Sequence, residues 1–235
     1  MDPTSVLAEL RSAERPRLVL WPDREAAPAS VALLAGSFDP VTNAHLELAR
    51  AASREVDLVV LTYSVRTLPK EPGAAGPLLS EAERLRVLAA VCETRPGLAV
   101  GLCSHGLLGD QAAAAGERFP GARISVVLGS DKLVQLFDPR WYEDRDAALG
   151  ELFRTAEVRY AVRAGEEVDA TLAAAASLGH AASIEPLDAD PRVAAISSRA
   201  VRELARSARD VSGLVPEEAL AAVTEAVDRE RRGRA

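Results

Sequence analysis

The chain has 235 residues and carries 28 Lys plus Arg against 35 Asp plus Glu, a formal net charge of −7 at pH 7. With 48% hydrophobic and 27% charged residues it has the make-up of a globular domain, which argues against disorder along its length. An acidic chain is a poor general binder of nucleic acid or anionic membrane, and no apolar run approaches the ~18 residues of a membrane span. Neither kind of partner is expected, and any phosphate chemistry has to rely on a few positioned cations.

Residues 1–30 read as a separate leader of unknown role. A short helix is expected over 4–11, a strand over 17–21 and a loop rich in proline, alanine and charge over 22–30. The first ten residues lack the basic start and apolar core of a secretory signal. From residue 31 to 235 runs the main domain. Strands are predicted at 31–35, 56–62, 98–103, 123–128, 158–162 and 183–187, mostly aliphatic runs without polar alternation, as for strands buried on both faces. Between and after them lie helices predicted at 45–54, 80–94, 111–118, 147–153, 167–178, 199–207 and 216–229. The second of these opens with Ser80 and Glu83 at capping-box spacing, and the last with Pro216 ahead of Glu217 and Glu218. Residues 230–235 read as a frayed, mostly basic tail. This alternation predicts an α/β fold, a Rossmann-like doubly wound parallel sheet with helices on both faces, and a small C-terminal helical part from about residue 196. Two cysteines, Cys92 and Cys103, and three histidines show no zinc or redox spacing, so buried thiols in a reducing cytoplasm and no structural metal are expected.

Sheets of this kind bind ligands beyond the carboxyl ends of their strands, so the loops after strands carry the chemistry. The first reads Gly36-Ser37-Phe38-Asp39-Pro40-Val41-Thr42-Asn43-Ala44-His45-Leu46. Gly36 lets an anion approach the backbone closely, and Pro40 stiffens the turn. Thr42 stands where a helix N-cap belongs, with His45 in the first turn. Free amides and the positive dipole end of that helix favour phosphate, and the His45 imidazole would point at the same anion.

The second stretch, Leu128-Gly129-Ser130-Asp131-Lys132-Leu133, again ends a strand. Gly129 opens a turn, and an acid placed there accepts hydrogen bonds from ribose hydroxyls; the alternative is Asp131 as a plain helix N-cap. Trp141 follows in a polar, proline-bearing loop. In a chain with few aromatics its indole is placed to stack on a flat heteroaromatic ring, or else it plugs the sheet edge. The third stretch is Ile196-Ser197-Ser198-Arg199-Ala200-Val201-Arg202. Its serines supply a cap with spare donors, and Arg202, one turn in, can reach back to an anion through its fork.

The first and third strings resemble the two signatures of the HxGH nucleotidylyltransferase superfamily. The wording of the first is most similar to the nicotinate or nicotinamide mononucleotide adenylyltransferases. Two positions depart from the pattern: Ala44 stands where glycine is frequent, and Arg199 where threonine is usual. The resemblance runs from about residue 31 to 227. It implies adenylyl transfer from ATP to a pyridine mononucleotide in NAD biosynthesis, with pyrophosphate released and Mg2+ arriving with ATP. By the same resemblance His45, Thr42 and Arg202 are catalytic. Gly36, Phe38, His45, Gly129, Asp131, Ser197, Ser198 and Arg202 bind ATP, while Ser37, Lys70, Arg84 and Trp141 bind the acceptor. ATP and the mononucleotide are the expected partners, with a homo-oligomer left open. Two other readings stand beside this one. One is a sister enzyme using another phosphate acceptor, such as phosphopantetheine; the other is a nucleotide-binding regulator without catalysis, which Ala44 and Arg199 keep open.

Overall fold

The computed structural model describes residues 3–66, 76–162, 168–194 and 196–233. In chain order the elements are α1 (Pro3–Ser12), β1 (Leu18–Trp21), β2 (Ser30–Ala35), α2 (Asn43–Ala52), β3 (Leu58–Ser64), α3 (Glu81–Glu93), β4 (Leu98–Cys103), α4 (Leu108–Arg118), β5 (Arg123–Gly129) and α5 (Ser130–Phe137). A 3-10 turn (Pro139–Trp141) leads to α6 (Arg145–Thr155), β6 (Ala156–Ala161), α7 (Asp169–Ser177), a second 3-10 turn (Ala181–Ser183), β7 (Ile184–Pro186), α8 (Pro191–Ala194), α9 (Ser198–Arg206) and α10 (Glu217–Arg232).

The strands form one sheet in the order β1-β4-β3-β2-β5-β6-β7, parallel throughout except for β1. The chain starts the parallel sheet at β2, builds outward through β3 and β4, then returns to β5 on the other side of β2. The reversal of winding therefore falls between β2 and β5, and it is at such a point, beyond the carboxyl ends of the strands, that open α/β sheets bind their ligands. Why these segments are strands is visible in their burial. On β2, Val31 and Leu33 pack with Val60, Val126, Ala112, Leu149 and Leu152 on one face, while Ala32 and Leu34 pack with Val59, Leu61, Leu48, Leu85 and Val201 on the other. Alternate residues point to opposite faces, and both faces need apolar cover, so the run carries no polar alternation.

Three expectations need correcting. The leader is not separate: Val6, Leu7 and Leu10 of α1 are buried in the core shared with α3 and α10, and β1 pairs antiparallel with β4 from Leu18↔Cys103 to Trp21↔Val100. A four-residue strand needs no helix crossover to cover an open sheet edge, so it leaves no βαβ rhythm to read. The helix α5 was missed because it is short and follows its strand without a linker. The tail is ordered as helix to Arg232, since Ala226 and Val227 bury one face of α10. Cys92 and Cys103 are both free thiols, half-buried and buried respectively, and burial pushes them up to about 12 and about 11. Among the described residues no helix is long and apolar enough to cross a membrane.

Candidate functional site

The chain leaves β2 at Ala35, and Gly36 continues the ladder by donating to Thr62 O at 3.1 Å. A Cβ on Gly36 would sit 3.0 Å from the Phe38 ring, a tight contact that the ring would have to yield to by a few tenths of an ångström. Phe38 adopts φ +46°, left-handed backbone that a non-glycine residue takes at roughly 1–3 kcal/mol. Burial of its side chain, 1% exposed, offsets that by a similar amount, about 1.5–3 kcal/mol. The ring lies 5.1 Å from the His45 ring with the planes tilted by 59°. Phe38, expected among the ATP contacts, thus lies under His45 as its support.

Thr42 caps α2 and is fully buried. Its backbone N–H donates to His45 Nδ1 at 3.0 Å, and its Oγ1 lies 2.8 Å from the same nitrogen. A backbone amide can only donate, so Nδ1 must present its lone pair, and the neutral ring carries its proton on Nε2. The capping interaction thus sets the tautomer that makes Nε2 a hydrogen-bond donor at the helix start. Asn43 fastens the same turn to a distant segment, its N–H to Leu214 O at 2.9 Å and its Nδ2 to Gly213 O at 3.1 Å. Ala44, the first departure from the pattern, is 3% exposed, so its methyl packs inward instead of crowding a ligand.

The third stretch arrives at this loop from the far end of the chain. Ser197 caps α9 by accepting from Ala200 N–H at 3.1 Å. Ser198 Oγ donates to Pro40 O at 2.9 Å, and Arg202 Nη1 donates to Asp39 O at 2.5 Å. Burial lowers the Arg202 pKa, opposed by Asp39 and reinforced by the neighbouring Arg206, Arg84 and Arg199; a guanidinium stays charged regardless. Arg84 is buried, with Nε and Nη2 donating to Leu79 O at 2.9 and 2.7 Å and Nη1 reaching Ser37 O at 3.4 Å. Its guanidinium is spent on the protein, holding the Ser37 backbone from below. Asp39 is the residue that the sequence reading passed over. It is 1% exposed and accepts from the Leu78 and Leu79 amides at 2.8–3.2 Å. The only local signal was an acid in an otherwise apolar-flanked turn; the two arginines that explain it lie far along the chain.

Gly129 ends β5, the hydrogen-bonded parallel neighbour of β2, and so lies at the same end of the sheet as Gly36. It is also the N-cap of α5, and Asp131 is exposed in that helix's first turn. Trp141 is half-buried at the end of the first 3-10 turn, where its N–H donates to Asp138 O at 3.3 Å. The next residue, Tyr142, donates from its hydroxyl to Leu136 O at 3.0 Å. The structure thus brings Ser37, Phe38, Thr42, His45, Arg84, Ser198 and Arg202 into one connected group, while Gly129 ends β5, Asp131 stands in the first turn of α5 and Trp141 in the 3-10 turn after that helix. Lys70 lies outside the described residues. Among the described residues no group of three or more His, Cys, Asp and Glu side chains is gathered to hold a metal.

Residues 33–204 match the cytidylyltransferase-like family, a span from β2 into α9. The chain is 35% identical over 144 residues to a probable nicotinate-nucleotide adenylyltransferase of Laribacter hongkongensis, covering 58% of this chain and 60% of that protein's length. It is 30% identical over 201 residues to a phosphopantetheine adenylyltransferase of Rubrobacter xylanophilus, covering 85% of this chain and 96% of that protein. Over 62 residues it is 44% identical to a phosphopantetheine adenylyltransferase of Methylobacterium nodulans, covering 26% and 34% of the two chains. The loop at the winding reversal, the matched span and these relatives together show that the chain belongs to the cytidylyltransferase-like family, within the HxGH nucleotidyltransferase superfamily.

Proposed function

We propose that the protein transfers AMP from ATP to nicotinate or nicotinamide mononucleotide, forming the dinucleotide and releasing pyrophosphate. The observation that carries this reading is the junction of the His45 loop with α9, through Ser198 on Pro40 and Arg202 on Asp39. It gathers a hydrogen-bond donor and a guanidinium at one helix N-terminus, which suits a polyphosphate.

A 5′-phosphate oxygen of the acceptor attacks the α-phosphorus of ATP in line. The new P–O bond forms as the bond to the β-phosphate oxygen breaks, and the electron pair leaves with pyrophosphate. A phosphate is already a competent nucleophile, so the protein's work is positioning and charge neutralisation. His45 Nε2–H donates to an α-phosphate oxygen where charge develops, and Thr42 fixes the imidazole that does so. The backbone at Gly36 and the Ser37 hydroxyl hold the acceptor phosphate, with Arg84 bracing Ser37 from beneath. Ser197, Ser198 and Arg202 hold the β- and γ-phosphates. Asp131 accepts from the adenosine ribose, and Trp141 stacks on the acceptor's ring. Mg2+ accompanies ATP, coordinated by phosphates and water, and no residue cluster is assigned to it.

One observation favours a second acceptor: the Rubrobacter phosphopantetheine adenylyltransferase aligns over nearly its whole length. Pyrophosphate release with ATP and each of three acceptors separates the readings. Release with a pyridine mononucleotide is the expected result. Release with 4′-phosphopantetheine alone replaces the acceptor, and ATP binding with no release from any of the three makes the protein a nucleotide-binding regulator.

A further inference from the structure

Asp39 sits where three segments meet. Its Oδ1 accepts from Leu79 N–H at 2.8 Å and from Leu78 N–H at 3.2 Å, and Oδ2 lies 3.1 Å from the same Leu78 N–H. Arg84 Nε of α3 lies 3.7 Å from Oδ1, and Arg202 Nη1 of α9 lies 3.6 Å from Oδ2. The Asp39 backbone carbonyl accepts from that same Nη1 at 2.5 Å. A carboxylate at 1% exposure is stable only when paired and hydrogen-bonded. Here four residues satisfy it, and two of them are arginines, one from α3 and one from α9.

We infer that Asp39 is a positioning residue for adenylyl transfer: its carboxylate aims the Arg202 guanidinium at the triphosphate before ATP arrives. The inference rests on the transfer reading above and deepens it. Arg202 is held at two points of one residue, the carbonyl in line and Oδ2 beside it. That leaves the fork one orientation in place of the many rotamers an arginine ordinarily samples, and ordering it in advance removes an entropic charge from binding. The neighbouring arginines, which share a cationic surrounding with Arg202, would otherwise drive it outward.

Asp39→Asn tests this. The amide oxygen can stay on the Oδ1 side and keep the Leu78 and Leu79 donors, while the amide NH2 then faces Arg202 and repels it. Removing a negative charge beside the phosphate site would by charge alone tighten ATP, so a weakening reads orientation. We expect kcat/KM for ATP to fall about tenfold, with KM for the acceptor within about twofold. In an Arg202→Ala background the same change should cost less than about twofold, since the group it acts through is gone. An equal loss in both backgrounds, or an equal rise in both substrates' KM, would overturn the inference. The same cycle read as ATP affinity by calorimetry, without acceptor, stands even if wild-type protein releases no pyrophosphate, which would sink the transfer reading alone. Should the variant not fold, arginine side-chain NMR on substrate-free wild-type protein decides. The Arg202 guanidinium should rotate slowly compared with the exposed Arg231, and equal rotation would overturn the inference.

Discussion

The segments that follow β2 and β5 are built differently. The loop after β2 is tied to the rest of the chain by residues more than twenty-five positions away: Thr62, Leu79, Arg84, Ser198, Arg202 and Leu214. After β5 comes α5, and in the turn beyond that helix the hydrogen bonds include near-neighbour ones, Arg140 on Asp138 and Tyr142 on Leu136. One side is assembled before any ligand arrives; the other presents Asp131 and Trp141 on a locally braced surface. In the proposed reaction this matches the demands on each side. The site of charge development needs fixed dipoles, whereas ribose and ring recognition tolerates adjustment by the ligand.

The largest expected effect breaks the fixed side at its chemical centre. His45→Ala should lower turnover by roughly a hundredfold or more, the loss of one donor to developing charge. It also removes the acceptor for Thr42 N–H, which should cost about 1 kcal/mol of cap stability and a few degrees in Tm. Steady-state kinetics with a melting curve separates the two, and near-normal turnover would remove His45 from the mechanism. Arg202→Ala comes next, raising KM for ATP by about tenfold. An unchanged ATP saturation curve would show that α9 does not grip the triphosphate.

The segment after β5 should respond more weakly and without loss of fold. Trp141→Ala is expected to raise KM for the acceptor by about three- to tenfold, the value of one aromatic contact, with ATP saturation and Tm unchanged. If ATP saturation moves instead, the indole serves the nucleotide side and the division between the loops is wrong.

Much of the fixed side was legible in the sequence, and the reason is local. Gly36, Thr42, His45, Ser197 and Arg202 all sit within one helical turn of a strand end or helix start, where capping chemistry and dipole geometry dictate residue type. The strand order could be anticipated as doubly wound because aliphatic runs without alternation demand cover on both faces. What escaped were long-range satisfactions. Asp39 has no local partner that would single it out; Arg84 and Arg202, which lie beside it in the fold, are far along the chain. The leader looks detached until β4 offers an edge to Leu18–Trp21. Arg84 looked like a substrate cation, yet the Leu79 carbonyl and the buried Asp39 absorb it.

The smallest expected effect sharpens the same contrast through charge. Two carboxylates, one on α10 and one in the turn after α5, are held below their ordinary range by an arginine. Arg95, just past the end of α3, hydrogen-bonds Glu218 at the start of α10, which packs on α3, and lowers that carboxyl against some burial. Arg140 does the same to Asp138 on the adjustable loop, where the pair is open to solvent. A carboxyl depressed in the folded state contributes stability that is fully present above its unfolded pKa and lost as pH falls through the folded value. Both contributions therefore begin to fall as pH drops below the ordinary carboxyl values, about 4, and are gone only below the depressed folded values. They differ in screening: the half-covered Arg95–Glu218 pair links two helices, while the exposed Arg140–Asp138 pair spans two residues and is damped by salt. Arg95→Gln should lower Tm by about 1–2 °C at pH 7, with the gap to wild type narrowing as pH falls below about 4. Arg140→Gln should leave Tm unchanged at either pH in physiological salt. Melting curves of both variants at pH 7 and pH 3.5 check this, and a larger loss in the Arg140 variant would mean that the loop after β5 is tied into the global fold after all.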